Sequence, residues 1–104
     1  MTSYEIWIEP EVHHVRESLP GNFRQQIKRI INELANNPRP AKSRALDMTE
    51  INVPAEVEVR RFSLIPWRII YAMNDQEQWV WVLAIRRRPP YNYEDLEELI
   101  GKLK

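Results

Sequence analysis

A chain of 104 residues, 43% hydrophobic, with four tryptophans and only two glycines, has the size and composition of one packed domain spanning residues 1–104 and not of a disordered or fibrous chain. The absence of cysteine excludes a disulfide framework and a thiolate metal site, and the lack of a long apolar run argues against a signal peptide or membrane span, so a cytoplasmic protein is expected. Fifteen basic and fifteen acidic residues cancel, which argues against coating nucleic acid through a large positive field; the bases nonetheless concentrate in the middle of the chain, six in residues 24–46 against one acid.

Ser3 to Ile8 alternates, Tyr4, Ile6 and Ile8 against Glu5, Trp7 and Glu9, as a half-buried strand does. Pro10 suits a first helical turn, and Val12, Val15 and Leu19 repeat at helical spacing until Pro20 and Gly21. Phe23, Ile27, Ile30, Ile31 and Leu34 then form the apolar stripe of a second helix, ending before Asn36, Asn37 and Pro38. From Pro38 to Pro54 no period survives, which predicts a loop with one turn around Leu46. Val57 and Val59 alternate with Glu58 and Arg60 in a second strand, and Trp67 to Met73 is a third. Trp79 to Ile85 is apolar on both faces, Trp79, Trp81 and Leu83 alternating with Val80, Val82 and Ala84, which predicts a central strand with two neighbours. Pro89 and Pro90 end it. Leu96, Leu99, Ile100 and Leu103 mark a C-terminal helix, with Glu94 and Asp95 at its start and Lys102 and Lys104 at its end. The fold class is therefore α+β: two N-terminal helices over an antiparallel sheet, the first strand at its edge.

That order of elements resembles the RelE/ParE toxin superfamily, together with Pro66-Trp67-Arg68-Ile69-Ile70-Tyr71, Glu58-Val59-Arg60, Leu19-Pro20 before the long helix, and Val80 to Arg88 followed by tyrosines. The resemblance implies a type II toxin that a cognate antitoxin protein wraps and neutralises. In a RelE-like branch it implies an endoribonuclease that cleaves mRNA on the ribosome, without metal or cofactor; in a ParE-like branch, a non-enzymatic inhibitor of DNA gyrase. A member retaining only antitoxin binding is a further alternative. By the same resemblance Arg68 grips phosphate, one of Arg86, Arg87 and Arg88 is a second cation, Tyr91 or Tyr93 lies near the scissile step, and Arg60 or Arg61 is a basic residue of the preceding strand. The chain departs from the family in its neutral charge, in carrying Glu58, Arg60 and Arg61 where RelE-like nucleases often place lysines, and in having its two histidines, His13 and His14, in the first helix.

RNA self-cleavage needs a base for the 2′-hydroxyl, cations for the phosphorane and an acid for the leaving oxygen. Arginine forks suit the second task. Arg68, Arg86 and Arg88 would then stabilise charge with Arg60, Glu58 would be the base, and Tyr91 or Tyr93 the proton donor. Against this, Arg68 is equally a structural partner for Asp75 or Glu58, the arginine run a solvated strand end pairing with Glu94, Asp95 or Glu97, and the tyrosines a seat for the last helix. Alternation sends Arg86 and Arg88 to one face and Arg87 to the other. Arg24, Lys28, Arg29, Arg39, Lys42 and Arg44 form a basic stretch that tracks RNA phosphates or is a solvated face, with Arg61 and Arg87 as further RNA contacts. Trp79 and Trp81 are expected to be core beneath the last helix, base stacking or an antitoxin segment being the alternatives. His13 and His14 point about 100° apart on a helix and do not ligate one metal together.

Overall fold

The computed structural model describes residues 3–49, 51–89 and 91–103; Pro90 and Lys104 lie outside the described residues. The elements run β1 (Glu5–Ile8), α1 (Pro10–Glu17), α2 (Gly21–Leu34), β2 (Ser43–Ala45), β3 (Glu58–Leu64), β4 (Trp67–Asn74), β5 (Trp79–Arg87) and α3 (Leu96–Gly101). The sheet order is β1-β5-β4-β3-β2. The doubly apolar β5 therefore has its two neighbours, β4 antiparallel and β1 parallel, and the sheet is mixed. A parallel β1 follows from its crossover: α1 and α2 carry the chain back over one face before the meander begins.

Two cores form on the two sides of this sheet. Val12, Leu19, Ile27, Ile31 and Leu34 from α1, α2 and their link pack on Phe62, Ile69, Tyr71, Met73, Val80, Val82 and Ile85. On the other side Leu96, Leu99 and Ile100 of α3 pack on Val59, Ile70, Ala72, Leu83 and Ala84. A helix of six residues is unstable alone, and each of these three buried side chains contributes about 1.5–3 kcal/mol, so packing holds α3 in place. Trp79 and Trp81 are half-buried against that second core, and Trp81 stacks at 6.2 Å on its parallel partner Trp7.

The segment expected to be an open loop contains β2, which pairs with β3, and Leu46, Met48, Ile51 and Val53 then pack on the α3 side. Three residues flanked by proline carry too little alternation to be recognised, and the edge of β3 supplies the pairing. A second departure from the simple alternation lies within β5. Ala84 faces Ile70 while Val82 faces Tyr71, so Leu83 is an extra residue in the strand. Leu83 and Ala84 consequently both join the α3-side core, and the alternation beyond them is inverted. Among the described residues no helix is long and apolar enough to cross a membrane.

An ionic clamp ties the loop after α2 to the sheet at the end away from Arg68. Arg39 bonds Asp75 at 2.7 Å and Glu58 at 3.3 Å; Glu58 also receives Arg60 at 2.7 Å, and Tyr4 donates to Asp75. Beneath it the Tyr71 hydroxyl donates to the Pro38 carbonyl. Hydrogen bonds from Arg39 and Tyr4 hold the Asp75 carboxyl below its ordinary value of 3.8. For Glu58, burial pushes upward from 4.5, but hydrogen bonds from Arg60 and Arg39 outweigh it and the net shift is down. Both groups thus contribute stability that is full above their unfolded values and is lost as pH falls through the lower folded ones. Urea midpoints are expected to be level from about pH 7 to 5 and to drop below about pH 4, by a small amount because the pairs are largely exposed. Asp75→Asn should flatten part of that drop; an identical acid limb in the variant would show that the clamp does not act in this way.

Candidate functional site: an arginine row across the sheet

The inverted alternation sets the face of each arginine. Arg86 lies on the α3 side, where its guanidinium sits 5.9 Å over the Tyr91 ring, and Arg88 lies 5.2 Å over Tyr93. Arg87 points to the helix side, 5.8 Å over Trp67. The pairing of Arg86 and Arg88 against Arg87 agrees with the simple alternation; the face they occupy, shared with Trp79 and Trp81, does not, because of Leu83.

On this α3 face Ser63, Arg68 and Arg86 are consecutive cross-strand partners over β3, β4 and β5, and Arg61 is directly opposite Arg44 on β2. The four arginines form a row crossing four strands. Like charges directly opposite one another cost stability, so such a row is not explained by folding. The two members on β5 and β4 are treated differently. Arg86 is bound by Asp95 at 3.0 Å, on the turn entering α3, and by Glu11 of α1 at 2.8 Å. Lys102 lies 3.7 Å from the same Glu11 and 3.8 Å from Glu9, whose carboxylate also accepts the Trp81 indole N–H. Arg68 has neither Asp75 nor Glu58 as partner: its Nη1 donates to the Trp67 carbonyl, and its Nε is buried and, among the described residues, has no hydrogen-bond partner. A buried, unsatisfied guanidinium nitrogen costs about 1–3 kcal/mol and is the feature of this face that folding least accounts for.

Tyr91 and Tyr93 stack edge-on at 4.7 Å. Tyr91 donates to Asp95 at 2.5 Å, and burial together with that bond raises its pKa, so it keeps its proton across the neutral range. Tyr93 has φ of 66°, in the left-handed region that few non-glycine residues adopt, and its hydroxyl is buried without a hydrogen-bond partner. Asp95 thus joins Tyr91 to Arg86 in one hydrogen-bonded unit.

The other expected site residues are elsewhere. Glu58 and Arg60 lie on the helix side, opposite Met73 and Tyr71, where Arg60 is locked to Glu58 and to the Ser43 hydroxyl; neither is brought to Arg68. Arg24 and Lys28 line shallow depressions on the exposed face of α2, with the sheet between them and Arg68. Lys42 joins Arg44 and Arg61 at the β2 edge. His13 bonds Arg16 on the exposed side of α1. Asp95 and Glu11 were not singled out as site residues from the sequence; the only sign was Asp95 as a partner for the arginine run.

Replacing Arg68 by methionine keeps an unbranched apolar stem but removes the orphaned nitrogen and one like-charge pair. Arg68→Met is expected to raise the unfolding free energy by about 1 kcal/mol in urea titration. A loss of stability would instead make Arg68 a structural residue.

Residues 12–89 match a family described as the ParE toxin of the type II toxin-antitoxin system, parDE. Among solved structures the chain is similar to the archaeal RelE in its RelE-RelB complex from Pyrococcus horikoshii OT3, with TM-score 0.73 and 21% identity over 88% of this chain and 100% of that one. It is also similar to the toxin-antitoxin complex RelBE2 from Mycobacterium tuberculosis, with TM-score 0.64 and 15% identity over 83% and 99% of the two chains. A mutant of E. coli toxin RelE in the free state matches with TM-score 0.63 and 15% identity over 97% of each chain. No curated protein sequence matches the chain.

Proposed function

Because the chain belongs to the ParE toxin family of type II toxin-antitoxin systems, we propose that it acts in the cytoplasm as an endoribonuclease, cleaving mRNA on the ribosome and inhibiting translation until a cognate antitoxin sequesters it. The observation that carries this reading is the Arg68–Arg86 cross-strand pair, with Arg68 Nε buried and unpartnered beside a tyrosine–carboxylate unit. Two guanidinium forks side by side match the non-bridging oxygens of a phosphodiester, and their attraction is strongest when the phosphorane carries its extra charge.

In the proposed reaction the 2′-oxygen attacks phosphorus and the 5′-oxygen leaves, giving a 2′,3′-cyclic phosphate and a free 5′-hydroxyl. Asp95 takes the place expected of Glu58: it accepts the 2′-hydroxyl proton once substrate phosphate has taken over Arg86. Tyr91 gives its proton to the departing 5′-oxygen. A phenol with a raised pKa surrenders a proton only to a stronger base, and an alkoxide is one. Arg88, over Tyr93, extends the cationic surface along the strand. None of these steps calls for a metal or cofactor.

Arg68→Ala and Asp95→Asn are each expected to lower single-turnover cleavage of ribosome-bound mRNA by about 10²–10³-fold, and chelation of divalent ions in a ribosome-free assay on single-stranded RNA to leave the rate unchanged. Wild-type protein that arrests growth yet produces no new RNA ends would remove the nuclease reading. The solved complexes with antitoxin among the structural neighbours support an antitoxin as partner.

A second reading is a non-enzymatic gyrase inhibitor, favoured by the name of the matched family and by Arg86 being neutralised already by Asp95 and Glu11. Supercoiling assays with pure protein separate the two, since a nuclease leaves supercoiling by gyrase untouched.

A further inference from the structure

Two carboxylates hold Arg86, and they hold different nitrogens. Nη1 is paired with Glu11 Oε1 at 2.8 Å and also donates to the Ile85 carbonyl at 3.2 Å, while Nη2 is paired with Asp95 Oδ2 at 3.0 Å. The supports behind the two acids differ as well. Glu11 stands in the first turn of α1, where a carboxylate suits the helix dipole. That helix is fixed to the strand that bears Arg86: Val12 is fully buried in one cluster with Val82 and Ile85, and the Glu9 N–H donates to the Val82 carbonyl at 3.0 Å. Asp95 stands on the turn before a helix of six residues and is shared with the Tyr91 hydroxyl. The second Glu11 oxygen lies 3.7 Å from Lys102 Nζ, too far for a hydrogen bond and near enough for charge compensation.

We infer that Glu11 is a positioning residue for the proposed cleavage: it keeps the Arg86 guanidinium aimed at the place opposite Arg68 when Asp95 leaves it. The inference rests on the nuclease reading and adds to it a residue of α1 that touches neither the RNA nor the reacting atoms. In that reading Asp95 gives up Arg86 to a phosphate and becomes the base. A guanidinium held by Asp95 alone would then lose its carboxylate at the moment its aim matters. A long side chain that is free to change rotamer is ordered only at an entropic cost, and ordering it before the reaction raises the rate. With Nη1 anchored to Glu11 and to its own strand, the Nη2–Nε edge is the fork presented to phosphate. The same hold opposes binding, because a second negative charge beside Arg86 repels an incoming phosphate, and Lys102 reduces that repulsion without removing it. Glu11 thus weakens binding while raising the rate. A residue that only stabilises the fold does neither, and a carboxylate that only blocks Arg86 lowers the rate.

The test is single-turnover cleavage of ribosome-bound mRNA over a range of protein concentrations by wild type, Glu11→Ala, Glu11→Gln and, as a charge control, Glu17→Gln at the exposed end of α1. Melting curves set a temperature at which every variant is folded. The plateau rate reads positioning, and the half-saturating concentration reads affinity. Glu11→Ala is expected to lower the plateau about thirtyfold and to lower the half-saturating concentration about twofold. Glu11→Gln, whose amide oxygen accepts the Nη1 hydrogen less strongly than a carboxylate does, should recover the plateau to within about threefold of wild type, with the same gain in affinity. Glu17→Gln should match wild type in both. If wild type cleaves and Glu11→Ala keeps the wild-type plateau or exceeds it, the positioning role is overturned and the nuclease reading survives. If folded wild type leaves ribosome-bound mRNA intact, both fall together.

Discussion

The extra residue at Leu83 decides which side of the sheet receives each arginine, and the whole candidate site depends on it. Up to Val82, β5 alternates with its valines toward α1 and α2 and its tryptophans toward α3. An uninterrupted ladder would carry that phase on, placing Arg86 on the helix side and Arg87 under α3. With Leu83 inserted, Ile85 fills the helix-side core, and Arg86 emerges opposite Arg68 and beneath Tyr91. A β-bulge costs one ladder position and increases the local twist. Here the extra residue is apolar and fully buried, so the cost is offset by packing against α3.

Two electrostatic regimes then share one sheet. Away from the site, Arg39, Glu58, Arg60, Asp75 and Tyr4 close on one another and join the loop after α2 to β1, β3 and the β4–β5 turn. On the α3 face, like charges are set opposite each other, relieved among the described residues only at Arg86, by carboxylates from two different helical segments. Acids could have been placed throughout the row, as they are in the clamp. Their absence from its β2 end among the described residues is what separates a surface built for an external anion from a solvated strand end. A formal charge of zero for the chain conceals this separation, because it sums over the whole sequence and says nothing of how the charges are placed on the sheet.

The elements with strong periods were legible in the sequence: the stripe of α2 and the final Leu96, Leu99 and Ile100 pack as their spacing implies, and the doubly apolar β5 takes its central place between two neighbours. The short β2 was not, because three residues between prolines hold no period of their own and take their conformation from β3. The bulge was equally hidden, since Leu83 and Ala84 are both apolar and either face accepts them. Within the site Arg68, one of Arg86, Arg87 and Arg88, and Tyr91 or Tyr93 could be named from the family pattern, whereas Asp95 and Glu11 could not. One lies at the entrance of α3 and the other in α1, and only the folded sheet brings them to the same guanidinium. Glu58, expected as the base, lies on the other face and at the other end, where strand alternation and length put it.

The dependence of the site on Leu83 is tested most directly by a nuclear magnetic resonance measurement of which arginine side chain lies under Tyr91. With Leu83 inserted, nuclear Overhauser contacts are expected from the Arg86 methylenes to the Tyr91 ring and from the Arg87 methylenes to the Trp67 ring, and none from Arg87 to Tyr91. Contacts from Arg87 to Tyr91, with Arg86 on the α1–α2 side, would contradict the bulged register and dismantle the site built on it.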